Sequence, residues 1–545
     1  MSSRKGSFMH ALQLQSDLTD EVCTATITDL IARATREKTS PVTLREVYQA
    51  IAQYDGTGYL EPLDVLPTLL PCQEEGSTEL VHICGMNSNP KEIMIVVQEA
   101  IEHLRSILNE EDDDPELRVA SLQRIIGVLR LCTAAVPRSR LGRRTPFDLC
   151  APLITDIMSL LLSAAVRATK HEGRVVVYEV AELVRTLFIW ACRSASVAEV
   201  SKVKTLLREL LDTTVTAYAF SIRASLSARA FESHFSRFIV RSAAEEGWED
   251  GTKAMSNVQE ALVALDGYWR ADLQKPKSHT DIMYLAHASP PVALSLAVLS
   301  DLCPLLLASV QTNVALDESL YLLFRVITQD ASLFEDTGIP LDVPISLCNV
   351  LSAVASTHLD DFMRQLNLRL VSLILSKLPS APRLEILLKL TSDEELPQIR
   401  GPAIGLVKEA VLEAFALPLG VARSTPFASP LLLRAFGPAL FKTNPPDFFA
   451  QSWTRETLEH SLELLRIADC LSFYYVLLQR DCRNITGVRD PSNVASVEGS
   501  LLRPLRAFLA RWSISEEEPL MAILSLQLGL DRIDDALDVI RRFQA

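Results

Sequence analysis

The residues of this 545-residue chain whose types could do chemistry are few and scattered. Tyr54-Asp55-Gly56-Thr57-Gly58 opens like a calcium loop, but such a loop needs oxygen ligands at its third and fifth positions and a bidentate Glu at its twelfth. Those places hold Thr57, Tyr59 and Leu66, so calcium is not expected. Gly56-x-Gly58 lacks the third glycine and a preceding strand, which removes a dinucleotide fingerprint. Cys72, His82 and Cys84 supply three ligands where a closed zinc site takes four, and a loop cysteine beside a helix-edge histidine is the simpler reading. The nine histidines do not cluster, and none stands in a helical HExxH or beside a GxSxG serine. His234, in FESHFSRFIVR among Phe231, Phe235 and Phe238, reads as a packed or edge histidine. No spacing of His, Cys, Asp or Glu meets a catalytic template, so no enzyme, metal or cofactor is expected.

Thiol chemistry is the remaining option. Ten cysteines occur without a CxxC pair, and Cys132, Cys150, Cys192, Cys303 and Cys348 sit inside apolar helical stretches. That usage fits free buried thiols in a reducing compartment. Cys470 and Cys482 are the redox candidates, because they flank the aromatic run Phe473-Tyr474-Tyr475. On one continuous helix their spacing corresponds to about 18 Å, too far for a disulfide; a turn near Asp481 would shorten it.

These positions must be held by helices. Hydrophobic residues make up 48%, charged residues 22% and aromatics 6%, an aliphatic composition that suits packed helices and excludes general disorder. A net charge of −15 argues against nucleic acid as a general partner and favours a basic protein surface. The start, MSSRKGSFMHALQLQ, has no apolar signal core, so secretion is not expected and the sequon at Asn484 is not read as glycosylated. The most apolar windows, 146–168 and 291–310, are interrupted by Asp148 and Asp156 and by Asp301 and Pro304. They read as core helices, and no membrane association is expected.

Apolar periodicity and cap signals predict helices near 17–36, 43–54, 90–109, 116–135, 146–168, 173–195, 198–220, 223–244 and 252–269 after a flexible arm at 1–15. Thr43 with Glu46, Asn89 with Glu92 and Ser515 with Glu518 have capping-box spacing. Residues 54–79 read as loop with one short helix. The acidic run 110–114 and the basic cluster Arg138, Arg140, Arg143 and Arg144 read as solvated loops. Residues 274–291 carry Lys275-Pro276-Lys277 and Pro290-Pro291, and are expected to be a hinge between an N-terminal block, 16–273, and a C-terminal block, 292–545. Helices continue near 292–311, 315–329, 341–355, 358–378, 381–391, 401–417, 428–441, 454–480, 494–512, 516–529 and 531–543. Short loops between helices of this length predict an all-α, HEAT-like α-solenoid of antiparallel helix pairs.

Two segments are the most distinctive. In SDEELPQIR followed by GPAIGLVKEAVLEAF, Ile399, Ala403, Leu406, Val407, Ala410, Val411 and Ala414 recur at helical spacing in the acid, Pro, apolar, Arg order of a HEAT repeat. In TRETLEHSLELLRIADCLSFYYVLLQRD, Glu459, Glu463 and Arg466 share a face expected to be solvated, while Leu458, Leu462 and Leu465 point at a core. From Cys470 to Leu478 the helix is apolar all round, which means burial on every side or use as a contact surface. The insert Asn484-Ile485-Thr486-Gly487 and LLRPLRAFL follow.

This order, clearest over residues 395–512, resembles the glomulin family, which includes the plant aberrant-lateral-root-formation protein and the fungal YAP-binding proteins. Gly401-Pro402 departs from it and implies that the helix starts, or kinks, there. The resemblance implies a non-enzymatic HEAT-like protein. Glomulin caps the RING of the RING-box subunit of cullin ubiquitin ligases with its C-terminal repeats. Fungal relatives are tied to a bZIP oxidative-stress factor and to kinetochore function. On that basis Phe473, Tyr474, Tyr475, Arg480 and Arg483 are the candidate partner-binding residues, since exposed aromatic and Arg side chains are the usual anchors. A RING-box subunit is the first expected partner and a bZIP stress factor the second, with a cytoplasmic location extending to the nucleus. A karyopherin-like transport solenoid fits the fold and the acidity, without a residue that argues for it.

Overall fold

The structure, a computed structural model, describes residues 8–12, 14, 19–36, 42–109, 115–236, 242–267, 277–291, 296–329, 341–422, 424–512 and 520–544. Among them every regular element is helical, from Asp20–Arg36 to Met521–Gln544, and no strand occurs. The chain forms two compact units: unit 1 is 1–229, 244–293 and 314–319; unit 2 is 230–243, 294–313 and 320–545.

Unit 1 is a two-layered stack. Helices Ser77–Asn87, Pro115–Ala135, Lys170–Ser194 and Trp248–Asp266 pack in succession as one layer, and Pro62–Leu69, Pro90–Asn109, Pro146–Ala165 and Val197–Ala217 as the other. Rungs such as Pro90–Asn109 on Pro115–Ala135 join the layers, so each helix pair buries its apolar stripe against the next, as in HEAT arrays. Helix Pro146–Ala165 is long and apolar enough to cross a membrane by length and composition. It is capped by Thr145 with Asp148 and buries Cys150, Ile154, Ile157 and Leu161 as a layer helix. Unit 2 repeats the theme: Asp342–Thr357 pairs with Asp361–Ser376, and helix Leu462–Arg480 lies between Arg400–Ala416 and Met521–Gln544. The HEAT-like segment behaves as its pattern dictates. Pro397–Ile399 is a 3-10 turn into Arg400–Ala416, and all seven periodic residues from Ile399 to Ala414 are buried. Gly401 and Pro402 occupy the first helical turn, where proline removes no intrahelical hydrogen bond.

Several boundaries differ from the pattern. In the arm, Phe8, Met9 and Leu12 are buried, with Met9 Sδ accepting from Cys23 Sγ at 3.5 Å, so apolar burial fixes a segment read as flexible. Residues 54–79 hold the one short helix expected there, Pro62–Leu69, and the start of an unexpected one, Ser77–Asn87, because Leu80, Val81 and Cys84 have a core to enter. Residues 277–291 of the expected hinge carry helix His279–Ala286, capped by Ser278 with Asp281 and buried at Thr280 and from Ile282 to Ala286 within unit 1. Thr43 and Glu46 form the expected capping box. Asn89 instead accepts from Lys91 N, and its own amide donates to Glu92 at 3.1 Å. The Ser515–Glu518 signal and the acidic run 110–114 lie outside the described residues.

Candidate interaction surface

The long helix expected over 454–480 is two helices, Arg455–Glu459 and Leu462–Arg480, broken at His460-Ser461. Ser461 caps the second by accepting from Leu464 N at 3.4 Å. The break rotates the register. Leu464 and Ile467 turn inward, while Leu462 and Leu465, expected in the core, are 44% and 56% exposed. Glu463 and Arg466, expected in solvent, form an ion pair at 2.7 Å with side chains only 10% and 5% exposed. Arg466 also donates to the carbonyls of Ala439 and Lys442 at 2.7 Å each, and Glu463 accepts from Asn444 N at 2.8 Å. The pair therefore fastens the preceding loop rather than facing water.

The apolar run is core, which corrects the expectation for two of its aromatics. Phe473 and Tyr474 are each 1% exposed; Tyr474 meets Phe441 edge-on at 5.4 Å. A helix packed on two sides leaves no solvent face for them. Tyr475, the next residue round, is half-buried, and Arg480 is exposed at the helix end. Beyond it Asp481 is buried and accepts from Ile485 N, Thr486 N and Thr486 Oγ at 2.7–2.8 Å. Asn484, at φ 53°, donates to Asp490 and accepts from Arg489 N, and Gly487, at φ 76°, completes the turn. Arg489 Nη2 caps the helix through Leu478 O at 2.6 Å. The insert 481–490 is thus a rigid knob that holds Cys482 and Arg483 in solvent beside Arg480. Neither Arg480 nor Arg483 has an ion-pair partner among the described residues.

The redox candidates do not pair. Cys470 is buried beneath Arg466, and burial pushes its thiol up to about 12. Helix continues from it to Arg480, a rise of about 15 Å, before the chain reaches exposed Cys482. Other chemical candidates prove structural. Asp55 ends a helix in the left-handed region and leads into a 3-10 turn, with Gly56 close under the Phe8 ring. Cys84 is buried against Ser88, its thiol raised to about 11 by burial, while His82 is exposed. Among the described residues no group of His, Cys, Asp or Glu is placed to hold a metal ion. Within the basic cluster, Arg138 donates to the carbonyls of Ala134, Ser88 and Gly85, stapling two helices. His234 is exposed and stands edge-on to Phe235 and Phe324.

One surface feature escaped the sequence reading. Met521, Leu524 and Leu528, at i, i+3 and i+7 of the last helix, are 77%, 41% and 52% exposed. Their helical spacing was the available signal, but it reads equally as a core stripe.

Arg480 and Arg483 are thus exposed on ordered elements, and among the described residues no group of His, Cys, Asp or Glu is placed beside them to hold a metal ion. No curated protein matches the chain. Residues 282–540 match a family model, Kinetochor_Ybp2, whose description is the uncharacterised protein family YAP/Alf4/glomulin. That span contains the HEAT-like segment, the central helix and the knob, and over it the chain matches the YAP/Alf4/glomulin family.

Proposed function

We propose that the protein binds the RING-box subunit of a cullin–RING ubiquitin ligase through Arg480 and Arg483, with Tyr475 beside them, and blocks access of the ubiquitin-conjugating enzyme. The observation that carries this reading is the pair of exposed arginines without ion-pair partners among the described residues, Arg480 at the helix end and Arg483 on the ordered knob 481–490, within the family-matching segment of a chain whose net charge is −15. An arginine held on a rigid element and not consumed by an internal partner retains its donors for an interface. Under this reading the protein works in the cytoplasm, extending to the nucleus.

The test is a reconstituted cullin–RING ubiquitylation reaction with the full chain added in excess. Dose-dependent inhibition is expected, and Arg480→Glu with Arg483→Glu should abolish both inhibition and RING binding. Retention of full RING binding by that double variant would show that the surface is misassigned. A second reading, an adaptor for a bZIP stress factor, draws on the exposed thiol of Cys482. Replacing Cys482 and the other exposed cysteine, Cys192, with Ser would abolish oxidative signalling under that reading and leave RING binding intact under the first.

A further inference from the structure

We propose that unit 1 carries a separate docking site for the anionic side chain of a peptide, in a cleft between helices Lys170–Ser194 and Trp248–Asp266. The cleft measures about 370 Å³, and Arg130 of the preceding layer helix closes one side.

Its chemistry is that of unspent donors. Arg174 is 11% exposed, and its guanidinium is held by three backbone carbonyls: Ser221 at 2.8 Å, Gly247 at 2.9 Å and Arg223 at 3.3 Å. Carbonyl dipoles fix a cation in place without cancelling its charge. The nearest carboxylate, Asp250, stands 4.0 Å away and is 66% exposed. The other acid on the wall, Glu179, is taken up by Arg130 at 2.8 Å. Asn257 Nδ2 is enclosed and has no acceptor. A buried donor left without a partner is a costly arrangement that a ligand acceptor would relieve. Lys253, one turn before Asn257, has no ion pair among the described residues, and Tyr178 offers a 40% exposed phenol.

These groups share one complement: a compact anion with several acceptor oxygens, the chemistry of a carboxylate or a phosphate. The cleft is an open trough between two stacked helices, so the anion can enter while its main chain stays outside. That favours a side chain of a peptide over a free metabolite, which would be enclosed.

The test uses the full chain and three fluorescent Gly-Ser peptides that differ only at a central pair of residues: Glu-Glu, phosphoserine-phosphoserine or Lys-Lys. Anisotropy should rise with the anionic peptides and not with Lys-Lys. Equal affinity for Glu-Glu and phosphoserine assigns the site to carboxylates; a clear preference for phosphoserine assigns it to phosphate. Lys253→Glu, at a surface position, and Asn257→Asp, which keeps the shape and replaces the donor by an acceptor, should each weaken binding by about tenfold or more, with unchanged circular dichroism. Arg480→Glu with Arg483→Glu should bind as the parent does, which separates this site from the RING surface. Failure of both anionic peptides to bind, or binding indifferent to the Lys253 and Asn257 variants, would overturn the proposal.

Discussion

Burial decides which of the ten thiols can react. Cys192 and Cys482 are exposed and Cys72 is half-buried; the other seven are buried. Burial in apolar surroundings disfavours the thiolate, raising Cys132, Cys150, Cys348 and Cys470 to about 12 and Cys84 and Cys303 to about 11, from an ordinary value of 9.0. Two outcomes are expected. Brief alkylation of the native protein followed by mass spectrometry should mark Cys192 and Cys482 first, with Cys470 unmodified until unfolding. Stability should also fall as pH rises above about 9. In that range the unfolded chain releases thiol protons that the folded chain retains, so folding is progressively penalised until pH passes the folded values. Urea midpoints at about pH 8 and about pH 10.5 measure the slope, and replacing Cys348 and Cys470 with Ala should flatten it. The sequence made Cys132, Cys150, Cys303 and Cys348 legible as buried thiols, because each sits in an aliphatic helix, but Cys192, read the same way, lies on the exposed side of its helix. It could not separate Phe473 and Tyr474 from Tyr475, since an all-apolar turn does not say which side lacks a neighbour.

The same ambiguity operates between elements, and two helices show it in opposite directions. His460-Ser461 breaks a helix that the pattern joined, since neither residue is a strong breaker and only the cap to Leu464 N reveals the new start. Gly529 sits inside a helix that the pattern divided near it, because Met521–Gln544 runs straight through. This glycine is a packing residue: a Cβ there would stand 3.1 Å from Leu471 Cδ1 and 3.3 Å from its Cβ, where the last helix packs on Leu462–Arg480. Gly529→Val should therefore cost about 1–3 kcal/mol through overpacking, despite removing a poor helix former. A urea titration followed by circular dichroism checks this. Leu471→Ala in the same chain should recover part of the loss by vacating the space, and additive losses would show that the clash is not with Leu471. The HEAT-like segment was legible throughout, because a repeat buries one fixed stripe and Ile399 to Ala414 display it without interruption.

At the scale of the molecule, the two units are not two halves of the sequence. Residues 314–319 belong to unit 1 although they follow unit 2 residues 294–313. Asp317 holds them there: it is 5% exposed and accepts from Leu226 N at 2.7 Å, Ser227 N at 2.9 Å and Ser227 Oγ at 2.5 Å. Glu318 beside it meets His287 at 3.2 Å, with both side chains 2% exposed. The sequence shows Asp317 and Glu318 only as acids in a first helical turn, a position that usually reports the helix dipole, so the partners of Asp317 about 90 residues earlier, and that of Glu318 31 residues earlier, were invisible. A fragment of residues 286–545 contains all but the first four residues of the family-matching segment, 282–540, but lacks Leu226 and Ser227. Asp317→Ala should accordingly destabilise the full chain by about 3 kcal/mol, since three hydrogen-bonding groups lose a buried carboxylate together. In the 286–545 fragment the same substitution should change the urea midpoint little, because those partners are already gone. An equal loss in both would mean that Asp317 works through residues after 286, and that the family segment folds independently of the earlier chain. The unequal result instead makes the full chain the form to use in the ubiquitylation test: truncation at 286 would remove interactions that hold 314–319, and a weak fragment would then say nothing against Arg480 and Arg483.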